Sequence, residues 1–142
     1  AILISNDASS WYESGPVQDM IIRNNTFNEC GYNSAPDSYA IAIAPENHEI
    51  KEGYYVHRNI RIENNKFNLI GSQLMTAKST DELYFIHNQI KTGKESKEGT
   101  LQLQNCRAVL ALGNLVADNI PFGIKIDKME RKQLTTDSKL IR

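Results

Sequence analysis

The chain lacks an excess of either charge: 16 Lys and Arg stand against 17 Asp and Glu, a formal net charge of −1. No overall field draws in polyanions, so neither nucleic acid nor an anionic membrane surface is expected as a partner. Long apolar runs are missing too, and nothing approaches the roughly 18 consecutive apolar residues of a spanning helix. Cysteine is scarce. Cys30 and Cys106 stand alone, outside any CxxC pair and away from paired histidines, so no metal and no cofactor is expected. Helical periodicity is absent as well, since no segment carries apolar residues three and four apart over ten or more positions. Nor is there an initiating Met, a basic n-region or a cleavage signal ahead of Ala1-Ile2-Leu3-Ile4, so the sequence reads as a mature or excised piece and is silent about export. With 142 residues, a single domain over 1–142 is expected, and an apolar fraction of 40% is enough to pack it.

What the chain has in quantity is Ile, with 16 residues, and Asn, with 14. They recur in register. Met20-Ile21-Ile22-Arg23-Asn24-Asn25-Thr26-Phe27 matches Ile60-Arg61-Ile62-Glu63-Asn64-Asn65-Lys66-Phe67 slot for slot. Two looser copies follow, Leu83 to Ile90 and Val109 to Val116, and they put the anchoring Asn at 25, 65, 88 and 114. Between these copies lies a second element of period two: Ile2/Ile4, Ile41/Ile43, Leu74/Thr76, Leu101/Leu103 and Ile124/Ile126. Its copies are 39, 33, 27 and 23 residues apart, and the shortest spacing suits one turn of a parallel β-helix, with loops inserted into the longer turns.

The fold class is therefore all-β, a parallel β-helix solenoid of about five coils whose like strands stack rung upon rung. Asn tolerates left-handed backbone angles, and stacked Asn side chains can hydrogen-bond in a ladder along the axis. The competing reading makes each Asn-Asn pair a hairpin turn. Because the chain starts directly on a strand, its N-terminal edge is expected to be a truncated one that continues in a longer protein or associates end to end with a second copy. Residues 128–142 are expected to form a polar C-terminal tail or cap. Cys30 and Cys106 fall two to three rungs apart, roughly 10 to 14 Å against the ~6 Å of a disulfide, so two separate thiols are expected.

Extra residues in a solenoid turn carry an ordering cost that a plain coil avoids, so insertions point to function. Two stand out, Ser5 to Pro16 and Ala44 to His57. Asp7 comes three residues after inward Ile4, and Glu46 three after inward Ile43, so both occupy one slot in adjacent rungs. Their carboxyl groups are expected about 5 to 9 Å apart, close enough that repulsion keeps one protonated, which is the acid and base division of a glycosidase. Trp11 and Tyr12, with Tyr54 and Tyr55 in the second insertion, offer faces for sugar C–H surfaces. Each feature also has a plain reading: Asp7 and Glu46 as solvated turn residues, Trp11 as a loop anchor, His48 and His57 as ordinary histidines, Asp37 as a turn residue. Arg23, Arg58 and Arg61 read as strand-face partners of Glu63 or Asp19.

The run Ile2-Leu3-Ile4-Ser5-Asn6-Asp7-Ala8-Ser9-Ser10-Trp11-Tyr12-Glu13-Ser14-Gly15-Pro16-Val17, the strand Ile22-Arg23-Asn24-Asn25-Thr26-Phe27 and the segment Ile43-Ala44-Pro45-Glu46-Asn47 together resemble the blood-group B type α-1,3-galactosidases of Bacteroides and related bacteria. The resemblance covers residues 1 to about 120. It implies a right-handed, pectate-lyase-like β-helix, inverting exo-hydrolysis of a terminal α-1,3-linked galactose, an oligosaccharide partner, and export to the periplasm or beyond. It casts Asp7 and Glu46 as acidic residues of the catalytic groove, with Asn6, Trp11 and Glu13 as neighbours; Tyr12, Asn47 and His48 are further candidates for binding the sugar. The family's enzymes are several times longer, with coils before this start that carry further acidic groups, so activity of the isolated chain is an open question. Two other readings stand beside this one. A β-helix polysaccharide lyase would use a basic residue and Ca²⁺; a non-catalytic solenoid would bind glycan through its aromatics alone.

Overall fold

A computed structural model describes residues 1–7, 14–30, 38–46, 49–93, 99–117 and 122–142. The strands are β1 (Ile2–Ile4), β2 (Gln18–Arg23), β3 (Thr26–Cys30), β4 (Ile41–Ile43), β5 (His57–Glu63), β6 (Lys66–Leu69), β7 (Gln73–Lys78) and β8 (Thr80–Ile86). There follow β9 (Gln89–Lys91), β10 (Gly99–Gln104), β11 (Arg107–Leu112), β12 (Leu115–Val116), β13 (Phe122–Asp127), β14 (Leu134–Thr136) and β15 (Leu140–Ile141), with one 3₁₀ turn at Arg131–Gln133. They form three sheets, ordered β1-β4-β7-β10-β13-β15, β14-β11-β8-β5-β2 and β12-β9-β6-β3. Each pairing is parallel, and from β1 to β12 every third strand returns to the same sheet, which is the winding of a parallel β-helix. Parallel pairing removes the hairpin reading of the Asn-Asn sites. Among the described residues no helix is long and apolar enough to cross a membrane.

Period-two patterning fills the column because alternate side chains of each strand face inward and meet their equivalents one rung away. Ile22, Ile62 and Phe85 align across β2, β5 and β8, while Phe27 lies on Phe67 with ring centroids 4.6 Å apart and planes 5° from parallel. Ile60, Ile62, Leu83 and Phe85 are fully buried. Burial of such a side chain is worth about 1.5 to 3 kcal/mol.

The Asn spine is present and divides the expected roles between neighbouring residues. Asn65 Oδ1 accepts from the backbone N–H of Asn25 at 3.0 Å and from its Nδ2 at 3.2 Å. Asn88 Oδ1 does the same for Asn65, at 3.0 and 3.1 Å, and Asn114 Oδ1 for Asn88, also at 3.0 and 3.1 Å. Each amide also donates back into the coil before it: Asn65 Nδ2 to the Ile22 carbonyl, Asn88 Nδ2 to Ile62 and Asn114 Nδ2 to Phe85. The left-handed backbone belongs to the residue ahead of each spine Asn: Asn24 (φ 58°), Asn64 (55°), His87 (54°) and Gly113 (65°). Bending the chain and pinning the rung are thus separate tasks.

One register differs from the sequence expectation. Leu74 is buried in the core as expected, but the residues of β7 aligned with Ile41/Ile43 and Leu101/Leu103 are Met75 and Ala77, so Thr76 is not the second inward residue. The cause is a bulge: Thr100 lies opposite Gln73 but Leu101 lies opposite Met75, so Leu74 is an extra residue. One extra residue reverses the parity of everything after it. Thr76 and Lys78 therefore face outward, where they line the surface of the sheet.

Cys30 and Cys106 are both free, the first half-buried and the second buried. Desolvation pushes the Cys106 thiol up to about 12, and its Sγ lies 3.4 Å from the Ala77 carbonyl. Thiolate is the reactive form. Iodoacetamide at neutral pH is therefore expected to label Cys30 and leave Cys106 unmodified until the protein is unfolded; peptide mass spectrometry that finds equal labelling in the folded state contradicts this.

Candidate active-site groove

β1 and β4 stop after Ile4 and Ile43, but their backbones stay in step around the corner. The Ala44 N–H donates to the Ile4 carbonyl at 2.9 Å, and the Glu46 N–H to the Asn6 carbonyl at 3.0 Å. Asp7 and Glu46 then form an isolated parallel bridge, so two acids 39 residues apart in sequence share one slot on adjacent rungs. Parallel rungs place their backbones about 4.8 Å apart. Asp7 is half-buried and Glu46 exposed. Asn6, between Ser5 and Asp7, is 3% exposed, and neither Nδ2 nor Oδ1 of its side chain has a hydrogen-bond partner among the described residues.

Glu46 borders a hollow of about 510 Å³ on the outer face of the first sheet, floored by the small side chains of Ala42 and Ala44 and walled by Leu3, Thr76 and Lys78. A second hollow, of about 230 Å³, shares Thr76 and Lys78 and continues over Gln102, Gln104, Lys125 and Asp127. The two hollows are neighbours on this face, with Thr76 and Lys78 lining both and Glu46 lining the first. Gln104 Nε2 donates to Asp127 Oδ2 at 2.5 Å, which fixes both groups on the wall of the second. Amides, ammonium groups and carboxylates in alternation supply both donors and acceptors, the complement of a hydroxyl-rich ligand.

The remaining candidates from the sequence divide between residues outside the described ones and residues that have structural partners. Trp11, Tyr12, Glu13, Asn47, His48 and Asp37 fall outside the described residues. Tyr55 lies under the Arg107 guanidinium, 4.7 Å from its ring centroid, so its face is occupied on the second sheet. Asn105, 1% exposed, holds the neighbouring segment by accepting from the Gly53 N–H at 3.0 Å and donating to the Lys51 and Tyr54 carbonyls at 2.9 and 2.8 Å. His57 is fully buried, and its Nδ1 accepts the Val17 N–H at 3.2 Å, a structural bond between coils. Arg61 pairs with Glu63 at 3.3 Å as expected, whereas Arg58 pairs with Glu82 and Asp19 accepts from Asn59. Among the described residues no group of three or more His, Cys, Asp or Glu gathers to hold a metal ion.

The ionic contact with a clear titration consequence is Arg107 to Asp81, with Nε 2.9 Å from Oδ1 and NH2 on Oδ2. The Arg107 hydrogen bonds hold the Asp81 carboxyl below its usual range. A depressed folded value stabilises the protein above the unfolded carboxylate pKa of about 3.9, and the contribution is lost as pH falls through the folded value. Asp81→Asn is therefore expected to lower the urea midpoint at pH 7, with the gap to the parent protein closing below about pH 4. A gap that stays constant from pH 7 to pH 3 contradicts the assignment.

Thr76, Lys78, Gln102, Gln104, Lys125 and Asp127 were not among the site residues expected from sequence. Gln102, Gln104, Lys125 and Asp127 alternate with inward Leu101, Leu103, Ile124 and Ile126, so the period-two pattern already carried that signal. Thr76 and Lys78 were concealed by the extra residue at Leu74.

No family model matches the chain. Curated relatives do. It is 39% identical over 145 aligned positions to "Alpha-1,3-galactosidase A" of Bacteroides fragilis, an alignment covering 98% of this chain and 24% of that protein. It is 41% identical over 120 positions to "Alpha-1,3-galactosidase A" of Bacteroides thetaiotaomicron, covering 81% of the chain and 20% of the relative. With "Alpha-1,3-galactosidase B" of Akkermansia muciniphila the identity is 37% over 135 positions, 92% of the chain and 17% of the relative. The chain thus spans about a quarter or less of the length of these relatives. Over nearly all of its own length, it corresponds to a segment of proteins of the alpha-1,3-galactosidase family.

Proposed function

We propose that the intact protein carrying this chain is a glycoside hydrolase that releases terminal α-1,3-linked galactose from an oligosaccharide with inversion of configuration, and that Asp7 and Glu46 form its acid and base pair. The observation that carries this reading is their parallel bridge, with Glu46 lining the hollow beside it. Kinship with proteins named alpha-1,3-galactosidase supplies the substrate class.

In an inverting reaction one carboxylic acid protonates the departing glycosidic oxygen. The other, as carboxylate, takes a proton from the water that attacks the anomeric carbon from the opposite face. Carboxyl groups about 6.5 to 9.5 Å apart leave room for that water, and side chains splaying outward from backbones ~4.8 Å apart can span such a gap. Asn6, Trp11, Tyr12, Glu13, Asn47 and His48 complete the proposed sugar site, on a coil we take to be right-handed with about five turns. Export to the periplasm or cell exterior belongs to the same proposal.

The test is to incubate the intact protein with a galactose-α-1,3-galactose disaccharide and follow the anomer released by NMR. Initial β-galactose is expected. Initial α-galactose overturns inversion, and no galactose overturns the reading as a whole; an unsaturated product would point instead to a lyase.

A further inference from the structure

A solenoid coil ordinarily touches only the coils before and after it. The second insertion breaks that rule. It leaves the column after β4 and returns at β5, yet its end from Lys51 to Tyr55 is held by the coil of β10, β11 and β12, two rung spacings or about 10 Å along the axis. Lys51 to Tyr54 make a tight turn: the Tyr54 N–H donates to the Lys51 carbonyl at 3.0 Å, and Gly53 takes a left-handed angle (φ 77°) at little cost. Asn105 plugs this turn, accepting from the Gly53 N–H and donating to the Lys51 and Tyr54 carbonyls, while Arg107 lies on the Tyr55 ring. From these contacts we infer that Asn105 is a positioning residue for the active site: from a coil that is no neighbour of the insertion, it fixes the segment that leaves Glu46, and with it the setting of Glu46 itself. The inference rests on the glycosidase reading of Asp7 and Glu46.

Three observations carry it. First, the slot is a recurring one. Ser79, Asn105 and Lys128 follow β7, β10 and β13 in register and share a left-handed backbone, with φ of 47°, 50° and 50°. The bend asks only for a residue that tolerates such angles; the amide that enters the insertion belongs to Asn105. Second, Asn105 is 1% exposed although Lys51, Glu52, Gly53 and Tyr54 are exposed. The insertion roofs it, and a buried amide that loses its partners is costly, so the turn is held to one seat. Third, the insertion is tied at its other end as well. The Glu46 N–H donates to the Asn6 carbonyl at 3.0 Å and Glu46 bridges Asp7, and only four residues, 47–50, separate Glu46 from Lys51. Over so short a span a displaced turn displaces Glu46, and a shift of about 1 Å at a reacting group can cost on the order of 10²-fold in rate.

The experiment compares Asn105→Gly with Asn114→Ala in the intact protein. Glycine keeps the left-handed backbone and removes only the side chain. Asn114 lies in the same coil at the corner between the second and third sheets, where it accepts from Asn88 and donates to the Phe85 carbonyl, so its loss weakens the column without touching the insertion. Galactose release from the disaccharide and amide hydrogen exchange are measured for both variants at a temperature where both are folded. Asn105→Gly is expected to speed exchange over residues 51–56 by about tenfold or more. It is also expected to lower kcat by about 10 to 10²-fold with little change in KM. Asn114→Ala is expected to leave kcat and the exchange of that segment near wild type. An equal fall in kcat for both variants, a fall in Asn105→Gly without faster exchange of the turn, or faster exchange with kcat unchanged overturns the inference and leaves the hydrolase reading intact. If the wild type releases no galactose, the hydrolase reading fails and the inference falls with it.

Discussion

Glu46→Gln and Asp7→Asn in the intact protein are each expected to lower kcat for galactose release by roughly 10² to 10⁴-fold, the usual range for loss of a positioned general acid or base. Each exchange is nearly isosteric, so the bridge between the rungs and the hollow beside it should survive and KM should change little. The two variants should also differ from one another. Losing the acid is partly bypassed by an aryl galactoside whose leaving group needs no proton, and it removes the alkaline limb of the pH profile. Losing the base is not bypassed and removes the acidic limb. Measuring both substrates across pH therefore assigns the roles as well as testing the pair. Near wild-type kcat in both variants would leave Asp7 and Glu46 as ordinary corner residues.

The largest expected loss of stability comes from the spine. Asn65→Ala deletes at once the acceptor for the Asn25 N–H, the donor to the Ile22 carbonyl and the link to Asn88. The side chain is 1% exposed, so water cannot readily replace those partners. An unsatisfied buried polar group costs about 1 to 3 kcal/mol, and with more than one group stranded the loss should reach about 3 kcal/mol or more. Asn68→Ala supplies the comparison, because Asn68 Nδ2 meets Asn28 Oδ1 at 2.7 Å on the exposed outside of the same coil. Its cost should stay within about 0.5 kcal/mol, as for most surface changes. Urea unfolding of the two variants distinguishes them, and equal losses would mean that the spine is no stronger than its surface counterpart.

What could be read from the sequence followed from repetition. Asn at 25, 65, 88 and 114 recurs in one apolar frame, and a recurring polar residue in a stack has its own copies as partners. Asp7 and Glu46 were legible because each follows an inward Ile by three residues. Non-repeating features were not. The extra residue at Leu74 cannot be recognised without the strand opposite it, and it is what turns Lys78 outward to line the hollow. Asn105 gave no sign of its hold on Lys51, Gly53 and Tyr54, because contacts made once across some 50 residues leave no periodic trace. Tyr55 looked like a sugar platform for the same reason: its hold on Arg107 is equally singular.

Successive spine residues are 40, 23 and 26 positions apart, yet their amide contacts stay between 3.0 and 3.2 Å. Pitch along the axis is thereby insulated from chain length. One corner of each storey is riveted, and the opposite corner is free to accept insertions of almost any size without forcing the storeys above and below to shift. Such a scaffold can trial new loops over its hollows one storey at a time, which makes the corner bearing Asp7 and Glu46 a natural workshop for changing what the protein recognises.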